Sequence, residues 1–246
     1  VSLTEVSLID NVKKQIRYKI KSYTGIFHAL VILQILGLFL STIGEGSMSE
    51  PGTYFSISVD YFTSGVVVGM TAFWLFINTL LITTKAYRED DFTFITSRLS
   101  RLWANIGFVF LLSVIGAVSA HLVINVLKVY LIIQNDELIM SNSLSLLSVI
   151  TGLLGLIGYF ILVSAIAYTI GSIIQRSKVI AIVASISLII LGNIMIRFQG
   201  QELIAQGIFF FIREPNFALF CIKIIVTSSL LFLVSWMMSK NQEVQA

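Results

Sequence analysis

The stretch from Leu144 to Ile174 contains no charged side chain, and it is one of several long apolar runs in the chain. No other feature limits the fold as much. Backbone in lipid must satisfy its hydrogen bonds internally, which leaves helices and closed barrels. Barrel strands alternate apolar and polar residues over about ten positions. Here the apolar runs are continuous, so the expected element is the helix. A span needs about twenty apolar residues, and we read six: Thr24–Ile43, Tyr61–Thr84, Trp103–Ile133, Leu144–Ile174, Val179–Arg197 and Phe217–Met238. The third and fourth are longer than a hydrocarbon core of about 30 Å requires, so they must tilt or project beyond it. The expectation is an all-α membrane protein, residues 1–246 forming a single transmembrane domain. Composition agrees: 57% of residues are hydrophobic and 12% charged, against about 25% charged in soluble domains.

Basic residues collect on the cytoplasmic side of membrane proteins, and the sixteen Lys and Arg of this chain divide accordingly. With the N-terminus in the cytoplasm, Lys13, Lys14, Arg17, Lys19, Lys21, Lys85, Arg88, Arg98, Arg101, Arg176, Lys178 and Lys240 fall inside. Lys128, Arg197, Arg213 and Lys223 fall outside or near the outer end of a span. The outer segments hold Glu45, Glu50, Asp60, Asp136, Glu137, Glu202 and Glu214. An even number of spans returns the C-terminus to the cytoplasm. No secretory signal peptide is read, and the first span is expected to be retained.

Before the first span, "VSLIDNVKKQIRYKIKSY" places Ile9, Val12, Ile16, Ile20 and Tyr23 at helical spacing. Lys13, Lys14, Arg17 and Lys21 can then face lipid phosphates. This pattern predicts an N-terminal interfacial amphipathic helix, drawn to an anionic inner leaflet.

"YREDDFTFITSRLSR", Tyr87 to Arg101, stands apart from the apolar runs on either side. Glu89, Asp90 and Asp91 suit a helix N-terminus, and Arg98 and Arg101 suit its C-terminus. Phe92, Ile95, Leu99 and Leu102 recur at i, i+3, i+7 and i+10, an apolar stripe. The pattern predicts a short cytoplasmic amphipathic helix between spans two and three. A plain turn would be far shorter, since helix connections usually run about 2–8 residues.

These features together resemble a type-2 ABC exporter permease, and most closely the small permeases with which bacteria export peptides or resist peptide antibiotics. The resemblance rests chiefly on "KAYREDDFTFITSRLSR". It implies that the segment after span two is a coupling helix, with Glu89, Asp90, Asp91, Arg98 and Arg101 as its docking surface for a separate ATPase subunit. ATP and Mg would be held by that partner. A second permease copy or a sister permease would complete the pathway, and the setting would be the bacterial cell membrane, with lipid as the further partner. Nucleic acid is not an expected partner. The substrate class implied is amphipathic or hydrophobic, peptide rather than lipid. The alternative is a non-transporting anchor, assembly or sensor subunit that holds a cytoplasmic partner through residues 87–102.

Motif absences agree with a chain that is not itself an enzyme. It has no G-x-x-x-x-G-K-[ST] loop for nucleotide phosphates, and no GxSxG, HExxH or Cys-His cluster. His28 and His121 lie in different spans and make no metal pattern, and Cys221 lies inside an apolar run. Carboxylates, which ion-driven transporters place near the midplane, are here confined to loops and span ends. Gln34, Asn78, Asn105, Asn125 and Asn193 are neutral, and serve helix–helix hydrogen bonds or line a path. "GLLGLIGY" in span four permits close helix approach.

Between spans five and six lies "RFQGQELIAQGIFFFIREPNF". Its apolar middle, Leu203 to Ile212, is too short to cross the bilayer, and Pro215 with Asn216 breaks the chain before span six. The resemblance implies a re-entrant segment here. Phe209, Phe210 and Phe211 would form an apolar outer gate, with Glu202, Arg213 and Glu214 at its rim. An interfacial helix that only anchors the loop is the other reading.

Overall fold

Among the described residues, the apolar runs form helices. The computed structural model describes residues 8–43, 45–51, 56–62, 64–87, 98–134, 145–176, 210–211 and 214–239. Among them are helices α1 (Leu8–Ser22), α2 (Gly25–Ile43), α3 (Gly65–Thr83), α4 (Arg98–Gln134), α5 (Leu146–Arg176) and α6 (Phe217–Ser239). Strands β1 (Glu45–Pro51) and β2 (Ser56–Phe62) separate α2 from α3. Among the described residues, five helices, α2 to α6, are long and apolar enough to cross a membrane. α4 has 37 residues and α5 has 31. At 1.5 Å per residue they measure roughly 55 and 46 Å, well beyond a core of about 30 Å.

Five expected spans fall on helices, most with ends displaced by only a few residues; the fifth, Val179–Arg197, lies outside the described residues. Two boundaries are corrected. The second span was expected from Tyr61, but Tyr61 and Phe62 belong to β2, which pairs antiparallel with β1 from Glu45↔Phe62 to Pro51↔Ser56. In "SISVDYF" the residues Ile57, Val59 and Tyr61 alternate with Ser56, Ser58 and Asp60, a two-residue period that suits a strand. The connection between α2 and α3 thus adds a hairpin to a helical chain. The second correction concerns the charged segment, which was read as a helix ending at Arg101–Leu102. Arg98 instead begins α4. No Gly or Pro separates Arg98 from the apolar run, so the helix has no reason to stop there.

The main core lies among α2, α3, α4 and α5, where Ile26, Leu30, Trp74, Leu75, Phe108, Leu112 and Phe160 are buried together. A smaller cluster joins α5 to α6 through Leu162, Phe220 and Ile224. Helices in lipid gain little from the hydrophobic effect and associate by close packing and hydrogen bonds. At Gly37 an added Cβ would stand 3.2 Å from the Val67 backbone, and at Gly171 it would collide with the Thr83 side chain. These glycines set the α2–α3 and α3–α5 approaches. Of "GLLGLIGY", Gly158 meets Phe220 of α6, while Gly152 and Gly155 face open space.

Hydrogen bonds fix the relative directions. Gln15–Ser100, Lys19–Asn105 and Gln34–Ser119 are separated by 85, 86 and 85 residues. α1 and α2 therefore follow α4 in the same direction, and α1, expected as an interfacial helix, packs alongside α4's first turns. α4 and α5 are antiparallel, with Ser113 facing Ser164 at 3.2 Å and Asn105 facing Tyr168. α5 and α6 are parallel. Gly158 lies beside Phe220, and farther along Thr169 donates to the Leu231 carbonyl and accepts from Ser235. Their like direction puts Arg176 and Phe217 at opposite ends of the bundle.

Candidate functional site

At the bundle end where α3 stops and α4 starts, a polar chain crosses the packing. Gln15 and Lys19 on α1 are buried, Lys19 to 1% exposure. Gln15 Nε2 donates to Ser100 Oγ at 3.2 Å. Lys19 Nζ donates to Asn105 Oδ1. Asn105 Nδ2 in turn donates to the Tyr168 hydroxyl at 3.3 Å, and the Tyr168 ring packs on Phe232 of α6 at 5.7 Å. One connected path thus runs α1–α4–α5–α6. A buried ammonium is costly unless its donors find acceptors, so these partners hold α1 in one place. Ile16 reinforces the fit. Its Cδ1 occupies the space where a Cβ on residue 107 would stand, which is why glycine serves there.

Sequence reading did not single out Lys19. The spacing carried the signal: Gln15, Lys19 and Tyr23 are four residues apart and fall within the stripe of Val12, Ile16 and Ile20. A lysine inside an apolar stripe is not a solvated one.

Of the expected docking residues, Arg98 and Arg101 lie at this same end. Glu89, Asp90 and Asp91 lie outside the described residues. Arg98 opens α4, and Arg101 is half-buried in its second turn. One border of the charged segment is held to α1 and the other to the turn just after it: Ser100 accepts from Gln15, and Tyr87 packs on Tyr23 with ring centroids 4.6 Å apart. Tyr23 also meets Phe108 edge-on at 6.3 Å. The two borders, Tyr87 and Ser100, are thus held to α1 and to the turn that follows it, and α1 is itself tied to the bundle by Lys19.

The opposite end of the bundle contains part of the expected gate. Phe209 lies outside the described residues, as do Glu202 and Arg213. Phe210 is 53% exposed, and Phe211 packs against the Leu162–Phe220–Ile224 cluster. The two rings meet at right angles, 5.1 Å apart. Tyr159 of α5 donates to the Phe211 carbonyl at 3.0 Å. Lys223 of α6 donates to the Phe210 carbonyl at 3.1 Å, pairs with Glu214, and lies 3.8 Å from the centre of the Phe210 ring. The pair is therefore pinned by both parallel helices, and Glu214, expected at the gate rim, is a partner of the pin.

Between the ends, the neutral polar residues bond across helices. Gln34 donates to Thr71 at 3.2 Å and Ser119 at 2.8 Å, joining α2, α3 and α4. The indole of Trp74 donates to the Ile26 carbonyl at 2.8 Å, and Asn78 to the Trp74 carbonyl of its own helix. Such bonds each contribute about 0.6 kcal/mol in membranes. Asn193 lies outside the described residues, and Asn125 is half-buried. His28 is exposed and His121 half-buried, and no metal-ligand cluster occurs among the described residues. Cys221 is a free thiol.

No protein-family model matches the chain, and neither curated proteins nor solved structures give a match.

Proposed function

We propose that this chain is the membrane-spanning permease subunit of an ATP-driven exporter, acting with a separate ATPase subunit and a second permease copy or sister permease. The observation that carries the reading is the mooring of the charged segment. Its two borders reach the N-terminal part of the chain, Ser100 through Gln15 of α1 and Tyr87 through Tyr23 in the turn that follows α1, and α1 is joined through Lys19, Asn105 and Tyr168 to α4, α5 and the face of α6. A soluble partner that grips Glu89, Asp90, Asp91, Arg98 and Arg101 would push on the whole bundle through that path. The like direction of α5 and α6 supports six spans, because the chain between Arg176 and Phe217 connects opposite ends of the bundle. Phe209, Phe210 and Phe211 then serve as the outer gate over a path for an amphipathic or hydrophobic substrate, a peptide by preference. ATP and Mg bind the partner, in a bacterial cell membrane with both termini cytoplasmic.

The test is purification of the tagged full-length chain from its native membrane, followed by assay of the eluate for ATP hydrolysis. The expected result is an associated ATPase that is lost in the Asp90→Lys/Asp91→Lys double variant while the chain still inserts. No ATPase with the wild type, or one retained at full activity by the variant, overturns the docking assignment. An ATPase-free partner released by the same variant selects the anchor or sensor alternative.

A further inference from the structure

With Gln15 and Lys19 turned inward, the rotation of α1 is fixed, and so is what its other face presents. Lys13, Arg17 and Lys21 are four residues apart and rise along one edge at about 6 Å intervals. All three are exposed, and none has an ion pair among the described residues. Beside them Ile16 and Ile20 form the floor of an open groove of about 400 Å³, within the roughly 300–1,000 Å³ typical of small-molecule sites. Ile16 cannot swing out freely, because its tip is seated over Gly107. The groove is lined by Ile16, Ile20 and the aliphatic stems of Lys13, Arg17 and Lys21, whose charged heads stand at its rim.

Its depth follows from the register with α4. An offset of 86 residues, that of Lys19 and Asn105, sets Arg17 level with Trp103. Trp103 is 53% exposed, and exposed tryptophans mark the membrane–water boundary. Below it α4 continues as an apolar span. The basic rim stands where phospholipid phosphates lie and the apolar floor where acyl chains begin.

We propose that this groove is a binding site for one anionic phospholipid, its phosphate held by Lys13, Arg17 and Lys21 and its first acyl carbons lying along Ile16 and Ile20. Charge complementarity decides the occupant. Three uncompensated cations at the rim of one apolar groove favour a lipid of net negative charge over a zwitterionic one, whose own ammonium they repel. The site does not depend on the exporter reading and stands or falls separately from it.

The experiment is native mass spectrometry of the full-length chain in nonionic detergent, titrated with phosphatidylglycerol, phosphatidylcholine or inorganic phosphate. One phosphatidylglycerol per chain should be retained, with phosphatidylcholine at least about tenfold weaker. At roughly fivefold per basic side chain, Lys13→Gln/Arg17→Gln/Lys21→Gln should weaken retention on the order of a hundredfold. Lys14→Gln, off the groove, should leave it unchanged. Were the triple variant not to fold, Arg17→Gln alone should lose about fivefold and Arg17→Lys should keep wild-type retention. The proposal is overturned by wild-type retention in the glutamine variants, by equal binding of phosphatidylcholine, by displacement of the lipid with millimolar phosphate, or by an equal loss in Lys14→Gln, which would mean diffuse attraction to the surface.

Discussion

Asn105 has a double duty: its carbonyl accepts from Lys19 and its amide donates to Tyr168. Replacing Asn105 by Leu removes both bonds and takes an acceptor away from the buried Lys19 ammonium. Hydrogen bonds to charged groups are worth about 1.5–3 kcal/mol, and the largest measured in membranes reach about 1.7. The expected loss is therefore roughly 1.5–2 kcal/mol, read from unfolding in mild detergent. The double variant Lys19→Met/Asn105→Leu should lose less than the sum of the two single changes, since apolar replacement of both partners is nearly neutral. A single Asn105→Leu variant as stable as wild type would show that the buried amine does not depend on this partner. At this scale the sequence was only partly readable. Gln34, Asn78 and Asn105 stood out as polar residues in apolar runs, but Lys19 was hidden among basic neighbours, and burial depends on which face α4 covers.

Among the elements, the parallel pair α5 and α6 holds Phe210 and Phe211 from two sides, through Tyr159 and Lys223. Lys223→Met removes the carbonyl bond, the Glu214 pair and the cation over the Phe210 ring together. In a Cys221→Ser background, a cysteine at Phe210 should react with a thiol reagent several-fold faster once Lys223→Met is added, with the chain still folded. An unchanged rate would mean that Lys223 does not restrain this segment. Element boundaries were the most legible part of the chain. The first span, expected at Thr24–Ile43, is α2 at Gly25–Ile43, and the last, expected at Phe217–Met238, is α6 at Phe217–Ser239. Continuous apolar runs leave a helix little freedom. The β1–β2 hairpin was missed because its polar first strand, "EGSMSEP", has no alternation to read. Arg98 was given to the wrong element because charge placement suggests where a helix ends, while only a breaker residue ends it.

For the whole molecule, the distribution of basic residues and the helix directions concern the same question. Cysteines introduced singly at Ser47, Thr93 and Gln201, with Cys221 replaced, should separate cleanly on intact cells. An impermeant thiol reagent should label the first and third but not Thr93→Cys until the membrane is opened. Strong labelling of Thr93→Cys on sealed cells would invert the orientation. Neighbouring helices such as α2 and α3 can zip together as soon as both are made. For α5 and α6 the wait is longer, because they run the same way and their joined residues are as much as 66 positions apart. At a synthesis rate of about 5–20 residues per second, Thr169 waits roughly 3–12 s for Leu231. Throughout that interval the face of α5 around Gly158 and Thr169 meets lipid or whatever else is at hand. α6 therefore acts as a late stitch of biogenesis, and a ribosome that stalls before α6 is made releases a chain in which this surface is still open.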